Sequence, residues 1–224
     1  MDRAAEAFAW PFRDPDWAGK VLLMGLILVI PFVGPINGLG WMLAALDRLR
    51  AGEERLPPAN FDHVGRGFRL FIVLLAYGLV VALIASVVYV PAVLILASQG
   101  HGSINPALFT LGSGLLLVFF SFVSLASVAL TFAEPAIVLA FDRGGIAGGL
   151  RVAEVLSRVR RSLVNTLIAG LMLIAAGIVG ELGLIFCFIG IFFTSAYALA
   201  MQAWIIHSFE LGSKEVSDDG RATA

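Results

Sequence analysis

The sequence predicts an all-α membrane protein in which four transmembrane helices accompany an N-terminal re-entrant helical hairpin and a cytoplasmic amphipathic connector helix. The first observation is composition: 59% of the 224 residues are hydrophobic and 14% are charged, whereas soluble domains carry about 25% charged residues. The second is that the apolar residues form runs long enough to cross a bilayer. The third is that lysine and arginine gather between alternate runs, which indicates one cytoplasmic face.

The first helix is predicted to start near Pro15. Asp14 can cap it, because a side-chain oxygen at that place accepts a backbone N–H of the first turn, and proline suits the first helical position. Trp10, Phe12 and Trp17 are the aromatic residues expected where a chain meets the lipid headgroups. The residues just before the helix are therefore expected on the membrane surface.

An apolar run over residues 18–46 is interrupted by the stretch VIPFVGPING. As a helix, residues 18–30 reach about 20 Å, short of the roughly 30 Å hydrocarbon core. Pro31 and Pro35 would each remove a helical hydrogen bond. We therefore expect residues 15–50 to form a hairpin that enters and leaves on one face. A kinked helix that crosses the whole bilayer is the alternative.

The positions of the fifteen basic residues favour the hairpin over the kinked span. If the run is a hairpin, every basic residue lies in the cytoplasm together with both termini. If it spans, the basic residues before the break face outward, against the usual bias. The basic residues are Arg3, Arg13 and Lys20; Arg48, Arg50, Arg55, Arg66 and Arg69; Arg143, Arg151, Arg158, Arg160 and Arg161; and Lys214 and Arg221.

Four long apolar segments follow the hairpin. Pro135 is expected to end or kink the second of them, because proline disfavours helix at the residue before it, here Glu134. All belong to a single polytopic membrane domain over residues 1–212, and a disordered cytoplasmic tail over residues 213–224 follows. The predicted spans are approximately residues 70–97, 106–132, 163–180 and 184–209.

Two polar connectors, residues 48–69 and 142–162, are assigned to the cytoplasm. The second holds apolar residues from Leu150 to Val159 interleaved with arginines, a pattern typical of a helix in the headgroup plane. Its basic residues are expected to contact lipid headgroups. They are Arg151, Arg158, Arg160 and Arg161.

The tip of the predicted hairpin is a candidate polar or ligand site. Asn37 lies there beside Gly34 and Gly38, and helix ends exposed at depth can bind an ion or a polar group. The alternative is that these residues only complete the turn and allow close helix packing.

Glu134 is a second candidate, as an intramembrane carboxylate at the end of a long span. Such groups are expensive in lipid and are functional candidates by default. The alternative is that the helix breaks before Pro135, so that Glu134 lies at the interface and caps the next turn.

The sequence offers no pattern typical of catalysis or cofactor binding. A net charge of −1 gives no reason to expect a nucleic-acid partner. Cys187 is the one cysteine, and the three histidines lack the spacing of a metal site. The glycines of residues 144–149 lack the strand and the Lys-Ser/Thr of a nucleotide-binding loop. We therefore expect no catalytic residue, metal ligand or cofactor, and no enzyme activity.

The stretch PFRDPDWAGKVLLMGLILVIPFVGPINGLGWMLAALDRLRAGEERLPP resembles the opening of a prokaryotic membrane protein family known only as a domain of unknown function, number four thousand and thirteen. EPAIVLAFDRGGIAGGLRVAEVLSRVR is similar to the cytoplasmic connector of that family, and CFIGIFFTSAYALAMQ to its last span. The chain departs from the pattern at NFDHVGRGFR, where a Trp is expected after the prolines. The resemblance covers about residues 10–210, implies the topology above and implies no activity.

Together these observations predict a non-catalytic integral protein of a prokaryotic cell membrane, a subunit or scaffold of a membrane complex. Its expected partners are the lipid bilayer and other membrane proteins, with no ligand identified. The alternative is a transporter or channel-like protein for a small solute or lipid, in which the hairpin lines the path.

Overall fold

The computed structural model describes residues 2–99, 105–185 and 189–222, and these contain α-helices, short 3-10 turns and no strand. The predicted all-α fold is therefore confirmed. Cys187 and His101 lie outside the described residues. The helices are α1 (Asp2–Ala9), α2 (Trp17–Leu28), α3 (Val33–Arg50), α4 (Val64–Ser98), α5 (Pro106–Gly149), α6 (Val152–Arg161), α7 (Leu163–Glu181) and α8 (Gly190–Ala222).

Three segments of the described chain are long and apolar enough to cross a membrane. They are α4, α5 and α7 together with the 3-10 turn that follows it. They overlap the predicted spans over residues 70–97, 106–132 and 163–180, although α4 begins earlier than predicted and α5 continues to Gly149. The fourth predicted span, residues 184–209, overlaps α8. In the described residues, α8 is not among the helices that are both long enough and apolar enough to cross a membrane. The count of four spans with a re-entrant hairpin therefore stays a prediction.

The chain divides into two compact units. One contains the residues up to Val73 and those from Thr131 onward, and α8 forms its centre because it packs against α2, α3 and α7. The other, Leu74–Leu130, pairs the apolar parts of α4 and α5. In this second unit the rings of Tyr89 and Phe119 lie 4.9 Å apart.

The expectation that Trp10 lies among the lipid headgroups is wrong. Its ring is buried, and its Nε1 donates a hydrogen bond to the backbone oxygen of Ala200 over 3.2 Å. A buried indole N–H needs an acceptor, and this carbonyl supplies one. Phe12 does remain exposed, with its ring edge-on to Trp17.

The break in the first apolar run is a γ-turn centred on Phe32. Phe32 has φ 62° and ψ −54°, and the N–H of Val33 donates to the oxygen of Pro31 over 2.7 Å. Such a turn is rare and strained for a residue with a side chain. Pro35 lies in the first turn of α3, where the N–H it lacks would have no helical acceptor. The tip is therefore residues 29–32, and the placement of Asn37 at the tip is wrong.

Of the two predicted effects of Pro135, an end of the helix or a kink, the first is wrong, because α5 continues through Pro135 to Gly149. A proline inside a helix costs about 3 kcal/mol. Every residue from Pro135 to Phe141 is buried, so tertiary packing offsets that local cost. The backbone instead departs from helix at Gly145, which has φ 60° and ψ −153°, a conformation essentially restricted to glycine.

Two further segments are the connector helix and the C-terminal tail. The amphipathic connector helix is confirmed as α6. The structure continues α8 through Ala222, and the disordered tail over residues 213–224 stays a prediction.

Candidate functional site

The chain before α2 meets the chain after α3 at a buried carboxylate. Asp14 Oδ2 accepts hydrogen bonds from Lys20 Nζ over 2.6 Å and from the backbone N–H of Leu56 over 2.8 Å. Its Oδ1 accepts the backbone N–H of Asp16 over 2.9 Å. Arg13 also pairs with Glu54. These contacts bring both ends of the α2–α3 pair to one place.

The environment of Asp14 keeps it charged. Burial alone would raise the pKa of the Asp14 carboxyl, but hydrogen bonds from Lys20 and from the N–H groups of Asp16 and Leu56 lower the pKa below its usual value of 3.8. A carboxylate that accepts several such bonds is stabilised in its ionised form. Lys20 Nζ also donates to the oxygen of Leu56 over 2.9 Å, so the Asp14–Lys20 ion pair contacts both the start of α2 and the chain after α3.

Asn37 is fully buried inside α3, where Nδ2 donates to the backbone oxygen of Asn60 over 2.9 Å and lies 3.9 Å from Met24 Sδ. Its Oδ1 has no hydrogen-bond partner in the described part of the chain. A buried acceptor left without a donor costs about 1–3 kcal/mol. The side chain could therefore accept a hydrogen bond from a water or a donor group of a ligand.

The two glycines predicted beside Asn37 do lie near it, and each permits a close helix contact. A Cβ on Gly34 would overlap the backbone of Ile27 and Leu28, the end of α2. A Cβ on Gly38 would lie 2.8 Å from Leu199 Cδ1 in α8. The structure thus brings the predicted group together where α2, α3 and α8 pack. Packing alone accounts for the glycines, and only the free Oδ1 of Asn37 points to a ligand.

A charge cluster joins four helices and consists of Asp47 and Arg50 on α3, Arg66 on α4, Asp142 on α5 and Glu210 on α8. Arg50 lies 2.5 Å from Asp142 through Nη1 and 2.7 Å from Glu210 through Nε. Arg66 Nη2 lies 2.7 Å from Asp142, while Nη1 contacts Asp47. Three carboxylates and two guanidiniums leave the cluster with one excess negative charge.

This charge cluster was not predicted as a site. Arg50 and Arg66 were assigned only to the cytoplasmic face, and no role was given to Glu210, which is buried. One feature of the sequence could have indicated the cluster. Acidic residues lie at the ends of apolar helices, and arginines lie in or near the polar connectors, so ion pairs between them are possible. Sequence spacing does not show which acid meets which arginine, because Arg50 and Glu210 are 160 residues apart.

Glu134 lies within α5, half-buried, one residue before Pro135. The described part of the chain forms no ion pair with it. Among the described residues, no hydrogen bond or ion pair joins it to Asn37 or to the charge cluster. Its role as a functional carboxylate stays a prediction.

The four arginines of the connector differ in their surroundings. Arg158 Nη2 lies 2.8 Å from Glu154 Oε1, and Arg151 Nη1 lies 4.0 Å from the other oxygen of the same carboxylate. Arg160 and Arg161 are exposed and have no ion-pair partner among the described residues. The structure thus separates two arginines that pair with Glu154 from two without an ion pair at the end of the helix.

The described residues contain no group of three or more histidine, cysteine, aspartate or glutamate side chains that could hold a metal ion. His63 Nε2 lies 3.1 Å from the backbone oxygen of Pro58, a contact within the connector between α3 and α4. The chemistry available in the described regions is therefore hydrogen bonding by Asn37 and ion pairing by the charged side chains.

Comparison with known proteins adds a family and no activity. The model of a family described as "Protein of unknown function (DUF4013)" matches residues 23–189. No curated protein and no solved structure matches the chain.

Proposed function

This chain belongs to the DUF4013 family, whose function is unknown, and from that premise we propose that it is a non-catalytic integral protein of a prokaryotic cell membrane that serves as a subunit or scaffold of a membrane complex. The observation that carries the proposal is the apolar pair formed by α4 and α5. Most of its large apolar side chains are not covered by other parts of the protein, so the pair offers a long apolar surface to lipid and to partner helices.

The apolar exposure is concentrated in the unit Leu74–Leu130. In the most apolar windows of α4 and α5, only 11% and 0% of the residues are buried within the protein. Leu83, Leu117 and Leu125 are each about 70% exposed. In water such an area would drive aggregation. In a membrane it is stable, and a partner helix can replace lipid along one side of it.

The topology we propose has four spans, a re-entrant hairpin formed by α2 and α3, and both termini in the cytoplasm. The contacts at Asp14 support a hairpin, because they join the residues before α2 to Leu56, which follows α3. The 12 residues of α2 cover about 18 Å as a helix, less than the roughly 30 Å core. In a kinked full span, these two ends would be separated by the thickness of the membrane.

Photocrosslinking from the α4–α5 surface tests the subunit proposal. A benzophenone amino acid is placed at Leu83, Leu117 or Leu125 in native membranes, with buried Leu70 as the matched control. We expect one adduct of fixed mass from one side of the pair, and co-isolation of the same protein in stoichiometric amount. Adducts with lipid alone, together with an isolated monomer after gentle extraction, would contradict the proposal.

A second candidate function is a transporter for a small solute or lipid. The free Oδ1 of Asn37 favours it, because Asn37 lies in α3 about one helical turn after the break at Phe32. Discontinuous helices at depth are a recurring feature of transporter sites. Flux into liposomes should then fall with Asn37→Leu and persist with Asn60→Ala, because Asn60 contributes only its backbone oxygen to Asn37. Flux that is the same for both variants would remove the support for this function.

A further inference from the structure

Helix α6 is held between two membrane-compatible helices. α5 ends at Gly149 and α7 begins at Leu163, so only three residues outside α6 separate it from its neighbours. Its C-terminal end therefore cannot move far from the point where α7 enters the hydrocarbon. This placement requires the membrane insertion stated in the proposed function, and does not require a protein partner.

One face of α6 is apolar and exposed. Val152 and Leu156, one helical turn apart, are 59% and 43% exposed. Val155, on the adjoining face, is buried, so that face of α6 packs against the protein. The first residues of α7, Leu163 and Val164, are also exposed. The apolar face thus continues into the start of a span, as expected for a helix lying at the headgroup boundary.

Arg160 and Arg161 are the cations placed to meet phosphate groups. They precede the first residue of α7 by three and two positions and have no ion-pair partner in the described chain. A guanidinium can donate two parallel hydrogen bonds to phosphate oxygens. Arg158 has the same charge, but its side chain is only 19% exposed and its guanidinium pairs with Glu154.

We propose that Arg160 and Arg161 form a binding site for anionic phospholipid headgroups, while Val152 and Leu156 enter the upper part of the acyl chains. Zwitterionic lipids also carry a phosphate, but their cationic headgroup cancels its charge, so the site selects lipids with net negative charge. Arg158 stays engaged by Glu154 and does not contribute. A general attraction of basic residues to anionic lipid would give every arginine of α6 the same contribution to binding. The proposed site instead assigns the contribution to Arg160 and Arg161.

The test measures the affinity of the full-length protein for its first bound lipid by native mass spectrometry, in titrations with phosphatidylglycerol and with phosphatidylcholine. Each basic residue near an anionic surface contributes about a fivefold gain in binding. The double variant Arg160→Gln/Arg161→Gln should therefore lose about 25-fold in phosphatidylglycerol affinity and none in phosphatidylcholine affinity. Arg158→Gln, the matched control with the same charge change per site, should stay within about twofold.

Several results would overturn the assignment. One is an equal loss per site for Arg158→Gln, which would mean general electrostatics. Another is a parallel loss for both lipids, which would mean damage to α6. A third is displacement of phosphatidylglycerol by inorganic phosphate at equal concentration, which would mean a free-anion site. If the glutamine variants do not fold, the natural chain still decides: its phosphatidylglycerol affinity must fall with added salt, and salt independence contradicts the site. Co-isolation of protein partners should not depend on these arginines, so the two proposals fail separately.

Discussion

Removing the charge of Asp142 should destabilise the unit that contains α8. Its side chain is 17% exposed and accepts from Arg50 at 2.5 Å and Arg66 at 2.7 Å. Asparagine keeps one acceptor oxygen and turns an N–H₂ group toward the second guanidinium. A hydrogen bond to a charged group contributes about 1.5–3 kcal/mol when buried and less than about 1 kcal/mol at the surface. Because both arginines remain partly exposed, we expect Asp142→Asn to lower the free energy of unfolding by about 2 kcal/mol.

The assay is reversible unfolding in mixed micelles, followed by far-ultraviolet circular dichroism. Asp16→Asn is the control, because Asp16 is exposed and its side chain does not cap α2. A double-mutant cycle of Asp142→Asn with Arg66→Gln should give a coupling energy of about 1 kcal/mol. If Asp142→Asn matches Asp16→Asn within about 0.5 kcal/mol, the charge cluster does not stabilise the fold and the reasoning is refuted.

Three other predictions concern the backbone and the Asp14 corner. Gly145→Ala should lose about 1–3 kcal/mol of stability because of its φ of 60°, while Gly144→Ala, which has open space around it, should be near neutral; equal melting temperatures would contradict the strain. At position 32, where φ is 62°, Phe32→Gly should be more stable than Phe32→Ala by about 1–2 kcal/mol, and a preference for alanine in the same melting assay would exclude the γ-turn. Asp14 has a lowered pKa, so its stabilisation is fully present above the usual pKa and is lost as pH falls through the folded-state pKa. Melting temperatures of the natural chain should therefore fall below about pH 4, and those of Asp14→Asn should be lower at neutral pH and less dependent on acid; parallel pH curves would contradict the ion pair.

The parts of the fold that the sequence predicted depend on local patterns. The apolar runs and the connector predict α6, α7 and the end of α4 within a few residues of their observed bounds, because hydrophobic length and helical periodicity are properties of consecutive residues. The break near Pro31 was predicted for the same reason. The turn itself was not, because nothing local indicates that Phe32 would adopt a positive φ.

The errors and omissions come from tertiary contacts. Pro135 does not end α5, since the buried residues after it stabilise a continuous helix against the local penalty. Trp10 finds an acceptor on α8 that lies 190 residues away. Asn37 is a candidate in the sequence, but it was assigned to the tip. The prolines and glycines of residues 29–38 indicate that the helix breaks there, and they do not indicate at which residue. The charge cluster joins four helices, and no spacing rule predicts such pairings.

The proposed topology depends on α2 and α3 returning to the side of the membrane from which they enter. Single cysteines at Ala5, Arg55 and His101, in a chain with Cys187→Ser, are labelled with a membrane-impermeant maleimide in inverted and in right-side-out vesicles. We expect Ala5→Cys and Arg55→Cys to react in inverted vesicles only, and His101→Cys to react in right-side-out vesicles only. Reaction of Ala5→Cys on the side opposite to Arg55→Cys would mean that the first apolar run crosses the membrane, and would contradict the re-entrant hairpin.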